Sequence, residues 1–344
     1  MSPSVDVSFP AAAARLAGVV RRTALVPAAE AGLTPDLCER RGFPDAARRL
    51  AALDLRLKLE CTQETGSFKA RGAWNQVSQL DEAQRAVGVV TTSSGNHGRA
   101  LAWAAGRAGV PATICMHADA YPNKIQACRD LGADVRLGST RPETDALCHE
   151  LAAGGMTLVH PYDAVRTVEG AGTVGLELAE DWPGVEVAVL PIGGGGLIGG
   201  SSLALKDRLG DAVAVHGVEP AGARTMGLAL EAGAPVDLVE ITTGVQGLCP
   251  LNVGGLNLAL ARDNVDAVHA LDDGPIFAAQ GLFVNDLDLV VEPAGAATLA
   301  AVLLEGVLDP LLADREAPLA VAIVVSGGNP APEQLAALRA EATA

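Results

Sequence analysis

The sequence is poor in aromatic residues and in positive charge. Aromatic side chains make up 3% of the 344 residues, so any core must be built mainly from Ala, Val, Leu and Ile. Against 41 Asp and Glu residues there are only 25 Lys and Arg, which gives a formal net charge of -16. A protein this acidic repels phosphate backbones and anionic lipid surfaces. We therefore expect neither a nucleic acid nor a membrane as a partner.

Long apolar runs and paired cysteine motifs are also missing. No apolar stretch reaches the roughly 18 residues that a membrane-spanning helix needs. Arg21 and Arg22 follow the apolar segment 11–20, whereas a signal peptide has its positive charges in front. None of the cysteines is spaced as CxxC, and no His/Cys cluster has metal-ligand spacing. These absences predict a cytoplasmic protein with free thiols and no metal site.

Short β-rich runs alternate with helical segments from about residue 85, a pattern typical of parallel sheets covered by helices. A first block predicts strands at 86–92, 112–116 and 133–137, and a second block predicts strands at 184–192, 213–218 and 319–325. The sequence therefore predicts an α/β protein with two parallel-sheet αβα domains. The smaller domain, residues 81–158, is inserted in the larger one, residues 1–80 and 159–344.

A lysine lies where one strand passes through a turn into a helix. Residues 57–75 read LKLECTQETGSFKARGAWN, and Lys69 falls in the first turn of the predicted helix. The positive end of the helix dipole disfavours an ordinary ammonium there. A lysine at that position can serve as a neutral amine in covalent chemistry with an aldehyde. The alternative is an exposed lysine without a function, and these residues alone favour it.

A polar loop follows the next predicted strand. Residues 91–100 read TTSSGNHGRA, and in open α/β sheets such a loop borders the ligand crevice. Its backbone N–H groups at a helix N-terminus suit an anion such as a substrate carboxylate. Asn96 and His97 add side-chain donors, and Ser94 adds a hydroxyl that can exchange a proton. The alternative is a plain helix cap.

Two further loops end buried strands. Residues 185–200 read VEVAVLPIGGGGLIGG, and the four glycines Gly193–Gly196 open onto a helix, an arrangement that wraps a phosphate. Residues 321–329 read VAIVVSGGN, where the hydroxyl of Ser326 can meet a ring nitrogen. Gly194, Gly196 and Gly199 also satisfy GxGxxG, with Glu219 near the place of the acid in a dinucleotide site. A nicotinamide-dependent dehydrogenase is therefore a rival interpretation of this segment.

Taken together, these segments resemble the fold-type II pyridoxal-phosphate enzymes, and in particular the group of serine/threonine dehydratases and serine racemases. The resemblance spans residues 22–329. It rests on TGSFKARGA, SSGNHG, PIGGGGLIGG, GVEP, EPAGAATLAA and VVSGGN, which occur in the family's order and at its spacing. Each motif alone is weak or moderate, but the set is highly specific.

The resemblance implies roles for these residues. Lys69 would hold pyridoxal 5'-phosphate as a Schiff base and move the α-proton. The cofactor would further contact Phe68 at the ring face, Asn96 at the ring's 3-oxygen, Ser326 at the pyridine nitrogen, Gly247 over the ring, and the backbone amides of Gly193, Gly194, Gly195, Gly196 and Leu197 at the phosphate. The substrate carboxylate would bind at Ser93, Ser94, Gly95, Asn96 and His97. Ser94 also matches the hydroxyl that faces the lysine across the cofactor in the racemases, and a homodimer is the family's usual assembly.

Three positions depart from the family pattern. The family's cation site uses Glu219, a backbone carbonyl near Ala223 and an acid where this chain has Thr225. Because one hard anionic ligand is missing, we expect no divalent cation there. The TxADG loop reads TGVQG, with Gln246 in place of the acid, and AGQGT reads EGAGT around Ala171. Both of these changes are expected to lie on the substrate side.

The implied activity is that of an ammonia-lyase, or dehydratase, acting on a β-hydroxy amino acid such as L-threonine or L-serine. A serine hydroxyl does not hold the ring nitrogen protonated as a carboxylate would, and this favours prompt β-elimination. An amino-acid racemase is the first alternative, followed by a β-replacement or threonine-synthase-like enzyme. The NAD-dependent dehydrogenase remains the alternative from a different class.

Overall fold

The structure is a computed structural model that describes residues 7–341. Residues 1–6 and 342–344, at the outer bounds of the predicted large domain, lie outside it. The described chain contains ten strands, which are β1 (Leu25–Pro27), β2 (Leu53–Lys58), β3 (Val89–Thr92), β4 (Ala112–His117), β5 (Asp134–Gly138), β6 (Thr157–Leu158), β7 (Val187–Pro191), β8 (Ala214–Pro220), β9 (Ala267–Leu271) and β10 (Leu319–Val324).

Two separate sheets are formed. Six strands make one sheet in the order β1-β2-β10-β7-β8-β9, and four make the other in the order β5-β4-β3-β6. All neighbours are parallel except β1 and β2, which pair antiparallel with Leu25 opposite Lys58. The predicted α/β class with two parallel sheets is therefore confirmed, and the antiparallel edge strand β1 is an addition to it.

Helices cover both sheets. They are α1 (Phe9–Leu16), α2 (Pro35–Arg40), α3 (Pro44–Ala51), α4 (Lys69–Val77), α5 (Glu82–Val87), α6 (Asn96–Ala108), α7 (Pro122–Asp130), α8 (Arg141–Ala153), α9 (Val165–Asp181), α10 (Gly196–Leu209), α11 (Thr225–Ala232), α12 (Gly255–Asn264), α13 (Asp273–Asn285), α14 (Pro293–Leu299), α15 (Asp309–Leu312) and α16 (Pro332–Glu341). A π-helical segment, Ala300–Leu304, continues α14. Among residues 7–341, none of the helices is both long and apolar enough to cross a membrane.

The predicted start of β3 is wrong, and a local signal explains it. The strand expected at 86–92 begins only at Val89, because α5 occupies the residues before it. Asp81 caps this helix by accepting from the backbone of Gln84, whose side chain accepts from the backbone of Asp81 in return. Such a capping box starts a helix even in a short segment. The helix ends at Gly88, whose φ of 102° suits glycine.

Helix α9 is the common support of α4 and α10. A Cβ on Gly72 of α4 would lie 2.9 Å from the carbonyl oxygen of Thr167, and a Cβ on Gly200 of α10 would lie 2.3 Å from that of Val168. Glycine at both positions therefore lets the helix backbones approach closely, as small residues do in an alanine-rich core. Since Lys69 begins α4 and Gly196 begins α10, the two helix starts are fixed relative to each other.

A buried ion cluster ties α4 to β2 and α9. Arg71 is 1% exposed and lies 2.7 Å from a carboxylate oxygen of Glu60 and 2.7 Å from one of Glu177. Lys58 Nζ lies 2.6 Å from the other oxygen of Glu177. Two cations thus meet two anions, so the cluster is neutral, as buried charge must be. It anchors the residue two positions after Lys69.

Candidate active site

A cavity of about 590 Å³ lies where β3, β7 and β10 end at their carboxyl ends. This is the position at which open parallel sheets bind ligands. The cavity is lined by every residue to which the resemblance assigns a contact with cofactor or substrate, namely Phe68, Lys69, Ser93, Ser94, Gly95, Asn96, His97, Gly193, Gly194, Gly195, Gly196, Leu197, Gly247 and Ser326. The structure thus brings together segments that lie up to 258 positions apart in sequence, from Phe68 to Ser326.

Lys69 places its amine in the cavity. Its Nζ donates a 2.7 Å hydrogen bond to the carbonyl oxygen of Pro161. Burial lowers the pKa of the lysine to about 8, although the charge of Glu292 acts in the opposite direction. The preceding residue is held in place because the backbone N–H of Phe68 donates to the carbonyl oxygen of Ser326 at 3.1 Å. A lysine with a pKa near 8 has a substantial neutral fraction, which is the form that attacks an aldehyde.

The four glycines form a backbone cradle at the start of α10. Gly195 has a φ of 87°, in the left-handed region that favours glycine. A Cβ on Gly194 would lie 2.2 Å from the ring of Tyr162, so a side chain has no room there. The helix that follows is fourteen residues long, and its N-terminal amides and dipole favour an anion. The cradle therefore fits a phosphate group.

Asn257, which the sequence does not single out, supports this cradle from α12. Its Nδ2 donates to the carbonyl oxygen of Gly194 at 2.7 Å and to that of Tyr162 at 3.1 Å. The side chain is fully buried. The carbonyl oxygens of Gly194 and Tyr162 therefore have hydrogen-bond donors within the protein. Nothing local marks Asn257, which comes 63 positions after Gly194.

The loop after β3 presents Ser94 as an exposed hydroxyl and Asn96 as a fixed amide. Asn96 Nδ2 donates to Glu292 Oε1 at 2.5 Å, and its Oδ1 accepts from Asn329 Nδ2 at 2.8 Å. Ser93 Oγ accepts from the backbone N–H of Gly95 at 3.2 Å. These bonds set the amide of Asn96 in one orientation, and the hydroxyl of Ser94 stays at the cavity.

The predicted donor role of the His97 side chain is corrected. The ring is buried, and its Nε2 lies 3.1 Å from the carbonyl oxygen of Val159, a contact that requires Nε2–H. Burial, together with the charge of Lys69, lowers the pKa to about 3, so the ring is neutral. Its Nδ1 therefore carries a lone pair and cannot donate to a carboxylate. Only the backbone N–H of His97 remains available for that role.

Glu292 is a site residue that the sequence reasoning missed. It is 6% exposed and lines the cavity, and burial raises its pKa to about 7. Asn96, Lys124 and Lys69 each act to lower that pKa. The motif EPAGAATLAA contains this residue, and the proline after it marks a helix start, which alone gives no sign of a side chain in a cavity.

Ser326 lies at the cavity floor after β10. It is 3% exposed, and its hydroxyl donates to the carbonyl oxygen of Ala294 at 3.3 Å. Gly247 lines the cavity with a φ of 95°, and a Cβ there would lie 3.0 Å from that of Ala294. The polar group that Ser326 contributes to the cavity is thus a neutral hydroxyl.

The carboxylate of Glu219 is hydrogen-bonded within the protein. Its two carboxylate oxygens accept from the backbone N–H groups of Met226 and Gly227, each at 2.9 Å. Burial raises its pKa to about 7 against the effect of these bonds. Among residues 7–341 no group of three or more His, Cys, Asp or Glu side chains is arranged to hold a metal ion. The amides that start α11 stand where a cation would have to be bound.

The same contacts exclude the dinucleotide interpretation. Glu219 is 1% exposed and is hydrogen-bonded to two backbone amides inside the protein, so a ribose hydroxyl cannot reach it. The glycines Gly194 and Gly196 share their cavity with Lys69 and the serine loop. A nicotinamide site has no use for these groups.

Of the two positions expected on the substrate side, Gln246 lines the cavity and Ala171 does not. Ala171 is buried within α9 and does not line the cavity. Its neighbour Glu169 instead accepts from Arg15 at 2.6 Å and from the backbone of Ser8 at 2.9 Å, which attaches α1 to α9. Gln246 lines the cavity and accepts a 3.1 Å bond from Lys124 Nζ.

These residues fit pyridoxal 5'-phosphate. The cavity volume lies within the range of small-molecule sites, about 300–1,000 Å³, and it combines an amine of lowered pKa, a phosphate cradle and a hydroxyl at the floor. A Cβ would lie 2.2 Å from the Tyr162 ring at Gly194 and 2.8 Å from Asn257 Cβ at Gly195, so the cradle is built from glycine. Fold and cavity together fit an α/β enzyme in which a lysine would hold a phosphorylated aldehyde.

Comparisons with known proteins agree. The family model described as pyridoxal-phosphate dependent enzyme matches residues 44–327. A phenylserine dehydratase of Ralstonia pickettii is 37% identical over 79% of this chain and 82% of its own, and an L-threonine ammonia-lyase of Thermotoga maritima is 39% identical over 80% and 67%. The solved structure of maize serine racemase superposes with a TM-score of 0.84 at 32% identity, covering 99% of this chain and 98% of its own. The chain belongs to the pyridoxal-phosphate-dependent enzymes of fold type II.

Proposed function

We propose that this enzyme is an ammonia-lyase that converts a β-hydroxy amino acid into a 2-keto acid and ammonia. The observation that carries the proposal is that Lys69 and Ser326 line the same cavity. The lysine supplies a base with a pKa of about 8, and the neutral hydroxyl of Ser326 does not hold a ring nitrogen protonated as a carboxylate would. When bound, pyridoxal 5'-phosphate withdraws electrons from the α-carbon of an attached amino acid. A weaker electron sink favours loss of the β-hydroxyl over a long-lived carbanion.

Residues of the chain bind the phosphate and the substrate and transfer the proton. The backbone amides of Gly193–Gly196 bind the phosphate, and those of the loop 93–97 bind the substrate carboxylate, with Asn96 fixed by Glu292 and Asn329. Lys69 accepts the α-proton at Nζ. The β-hydroxyl then departs as water with the proton that Lys69 accepted, which restores the neutral amine. The resulting enamine takes up water to give the 2-keto acid and ammonia. Holding base and substrate together lowers the entropic part of the barrier.

A racemase is the second candidate, and the exposed hydroxyl of Ser94 favours it. Racemisation needs a second proton-transfer group besides Lys69, and Ser94 lines the same cavity. The likeness to maize serine racemase supports this alternative as well. The two activities differ in product, because one releases a keto acid and the other the D-isomer.

The test follows both products at once. The purified enzyme loaded with pyridoxal 5'-phosphate is incubated with L-serine, L-threonine and threo-phenylserine, and keto acid and D-isomer are measured together. We expect keto acid to dominate for at least one substrate, and the Lys69→Ala variant to lose the visible absorbance of the bound cofactor. D-serine formed without pyruvate contradicts the lyase proposal, and a protein that never binds the cofactor contradicts the whole site assignment.

A further inference from the structure

The lysines of this chain separate into two groups. There are four, and Lys58 and Lys206 each form an ion pair with a carboxylate. Lys69 and Lys124 both line the cavity, and among residues 7–341 neither lies within ion-pair distance of a carboxylate. Lys69 has its chemical role in the proposed reaction. Lys124 is a half-buried cation at the cavity, and it has no role in the reaction proposed above.

The neighbours of Lys124 do not neutralise it. Its Nζ donates to the neutral amide oxygen of Gln246 at 3.1 Å and lies 5.4 Å from the ring centre of Tyr121. Gln246 Nε2 in turn donates to the hydroxyl of Tyr121 at 3.4 Å. Burial lowers the pKa of Lys124, while the charge of Glu292 acts in the opposite direction. A desolvated ammonium with only neutral hydrogen-bond partners gains most from an anion that enters the cavity.

A second cation lies at the same cavity. Arg141 begins α8, lines the cavity and is exposed, and within the described chain it has neither an ion pair nor a side-chain hydrogen bond. Its positive charge acts to lower the pKa of Tyr162 and of Cys249, two other lining residues. Arg141 therefore adds positive potential over the cavity without being committed to a protein carboxylate.

The acidic residues at the cavity are already engaged. Glu292 is buried against Asn96 and holds a raised pKa of about 7, and Asp119 pairs with His117. The rest of the molecule is strongly acidic, with a net charge of -16. Two uncommitted cations in one cleft of such a protein focus positive potential where a ligand binds.

We propose that the natural substrate carries a second carboxylate on its side chain, and that Lys124 binds this carboxylate, with Arg141 adding to the attraction. The substrate class is thus the β-hydroxy amino acids with an acidic side chain. This inference rests on the proposed lyase function and narrows it. The α-carboxylate of the substrate has its own site in the backbone amides of loop 93–97, so Lys124 is left for the side chain. Gln246 serves as a specificity residue, because an acid at that position would neutralise Lys124.

The first experiment compares two substrates of equal shape on the loaded enzyme. These are threo-3-hydroxyaspartate and its neutral amide, threo-3-hydroxyasparagine, and keto-acid release is followed for each. We expect kcat/KM for the acid to exceed that for the amide at least tenfold, which corresponds to about 1.4 kcal/mol. Equal values for the two, or a preference for the amide, overturn the inference.

The second experiment assigns the preference to Lys124. In Lys124→Gln and in Gln246→Glu we expect the ratio of the two kcat/KM values to fall about tenfold. Arg136→Gln is the matched control, because it removes one cation from an exposed position on β5 that is paired with Asp134 outside the cavity. There the ratio should stay as in the parent. If Lys124→Gln slows both substrates equally, Lys124 binds the shared α-carboxylate and the inference is wrong.

The third experiment separates failure of this inference from failure of the lyase proposal. L-Aspartate and L-asparagine differ in charge but hardly in shape, and neither has a β-hydroxyl to lose. Isothermal titration of the loaded enzyme should give tighter binding of aspartate, with the difference reduced in Lys124→Gln. This result supports the acidic-substrate class even if no keto acid forms from any hydroxy amino acid, and equal binding of the two ligands overturns it.

Discussion

The amide of Asn96 donates a 2.5 Å hydrogen bond from Nδ2 to Oε1 of Glu292, and this bond joins the loop after β3 to the start of α14. The other end of the amide is held by Asn329, whose own Nδ2 also donates to the carbonyl oxygen of Thr65 at 2.9 Å. Glu292 is thereby kept within electrostatic reach of Lys69. The charge of the Glu292 carboxyl group therefore acts on the amine that we propose holds the cofactor.

The first prediction concerns the pH dependence of cofactor uptake. An amine attacks an aldehyde only when neutral, and burial brings the pKa of Lys69 to about 8. Reconstitution of the cofactor-free enzyme should therefore quicken as pH rises and level off above about pH 8. Because the negative charge of Glu292 raises this pKa, Glu292→Gln should move the inflection to lower pH. Stopped-flow absorbance measures the rate, and Glu64→Gln, at an exposed position, serves as the control. An inflection near the ordinary value of 10.5 contradicts the prediction.

The second prediction separates the two proton-transfer groups. Ser94→Ala removes the exposed hydroxyl at the cavity without removing Lys69. Any racemisation should be abolished, because it needs a second group to deliver a proton, whereas elimination should only weaken. Parallel assays of D-isomer and keto acid measure both. Ser78→Ala, which removes a hydroxyl at the far end of α4, controls for general loss of activity. An equal loss of both products would show that Ser94 has a different role.

The third prediction concerns divalent cations. The carboxylate of Glu219 is occupied by the amides of Met226 and Gly227, and Thr225 supplies no anionic ligand. Strong chelators should therefore leave both the activity and the melting temperature unchanged. Adding Mg²⁺ or Ca²⁺ after dialysis should likewise have no effect. A large loss with chelator, restored by the cation, would show that α11 rearranges to admit a metal ion.

The fourth prediction concerns the buried ion cluster. Arg71→Gln leaves Glu60 and Glu177 buried with one cation, Lys58, between them. Removing one partner from a buried pair typically costs about 3–5 kcal/mol. Chemical denaturation should therefore show a loss of that size in the free energy of unfolding, while the exposed Arg136→Gln changes it little. Since α4 begins with Lys69, weaker retention of the cofactor should accompany the loss. A variant as stable as the parent contradicts the role given to the cluster.

Much of the site can be predicted from sequence because its residues follow strand ends. Gly193 and Ser326 follow β7 and β10, which are parallel neighbours and end at the same edge of the six-stranded sheet. Ser94 follows β3 at the carboxyl edge of the other sheet. Their small size and hydrogen-bonding groups mark them locally.

Other site residues have no such local mark. Glu292 directly precedes α14, Lys124 lies in the first turn of α7, and Asn257 reaches the cradle from α12. Only packing brings these residues to the cavity. The donor role predicted for the His97 side chain is wrong because Nε2–H is hydrogen-bonded to the carbonyl oxygen of Val159, which lies 62 positions away in sequence. The antiparallel strand β1 was missed for a similar reason, since its three residues gain their pairing only from β2.

The shared support of α4 and α10 on α9 has an evolutionary consequence. Lys69, the glycine cradle and Ser326 all belong to the six-stranded sheet and its helices, whereas Ser94, Lys124 and Arg141 come from the four-stranded unit. Substitutions at Lys124 or Arg141 therefore leave Lys69, the glycine cradle and Ser326 in place. In an enzyme family with this arrangement, the substrate can change by single substitutions. None of the intermediate proteins then needs to be inactive.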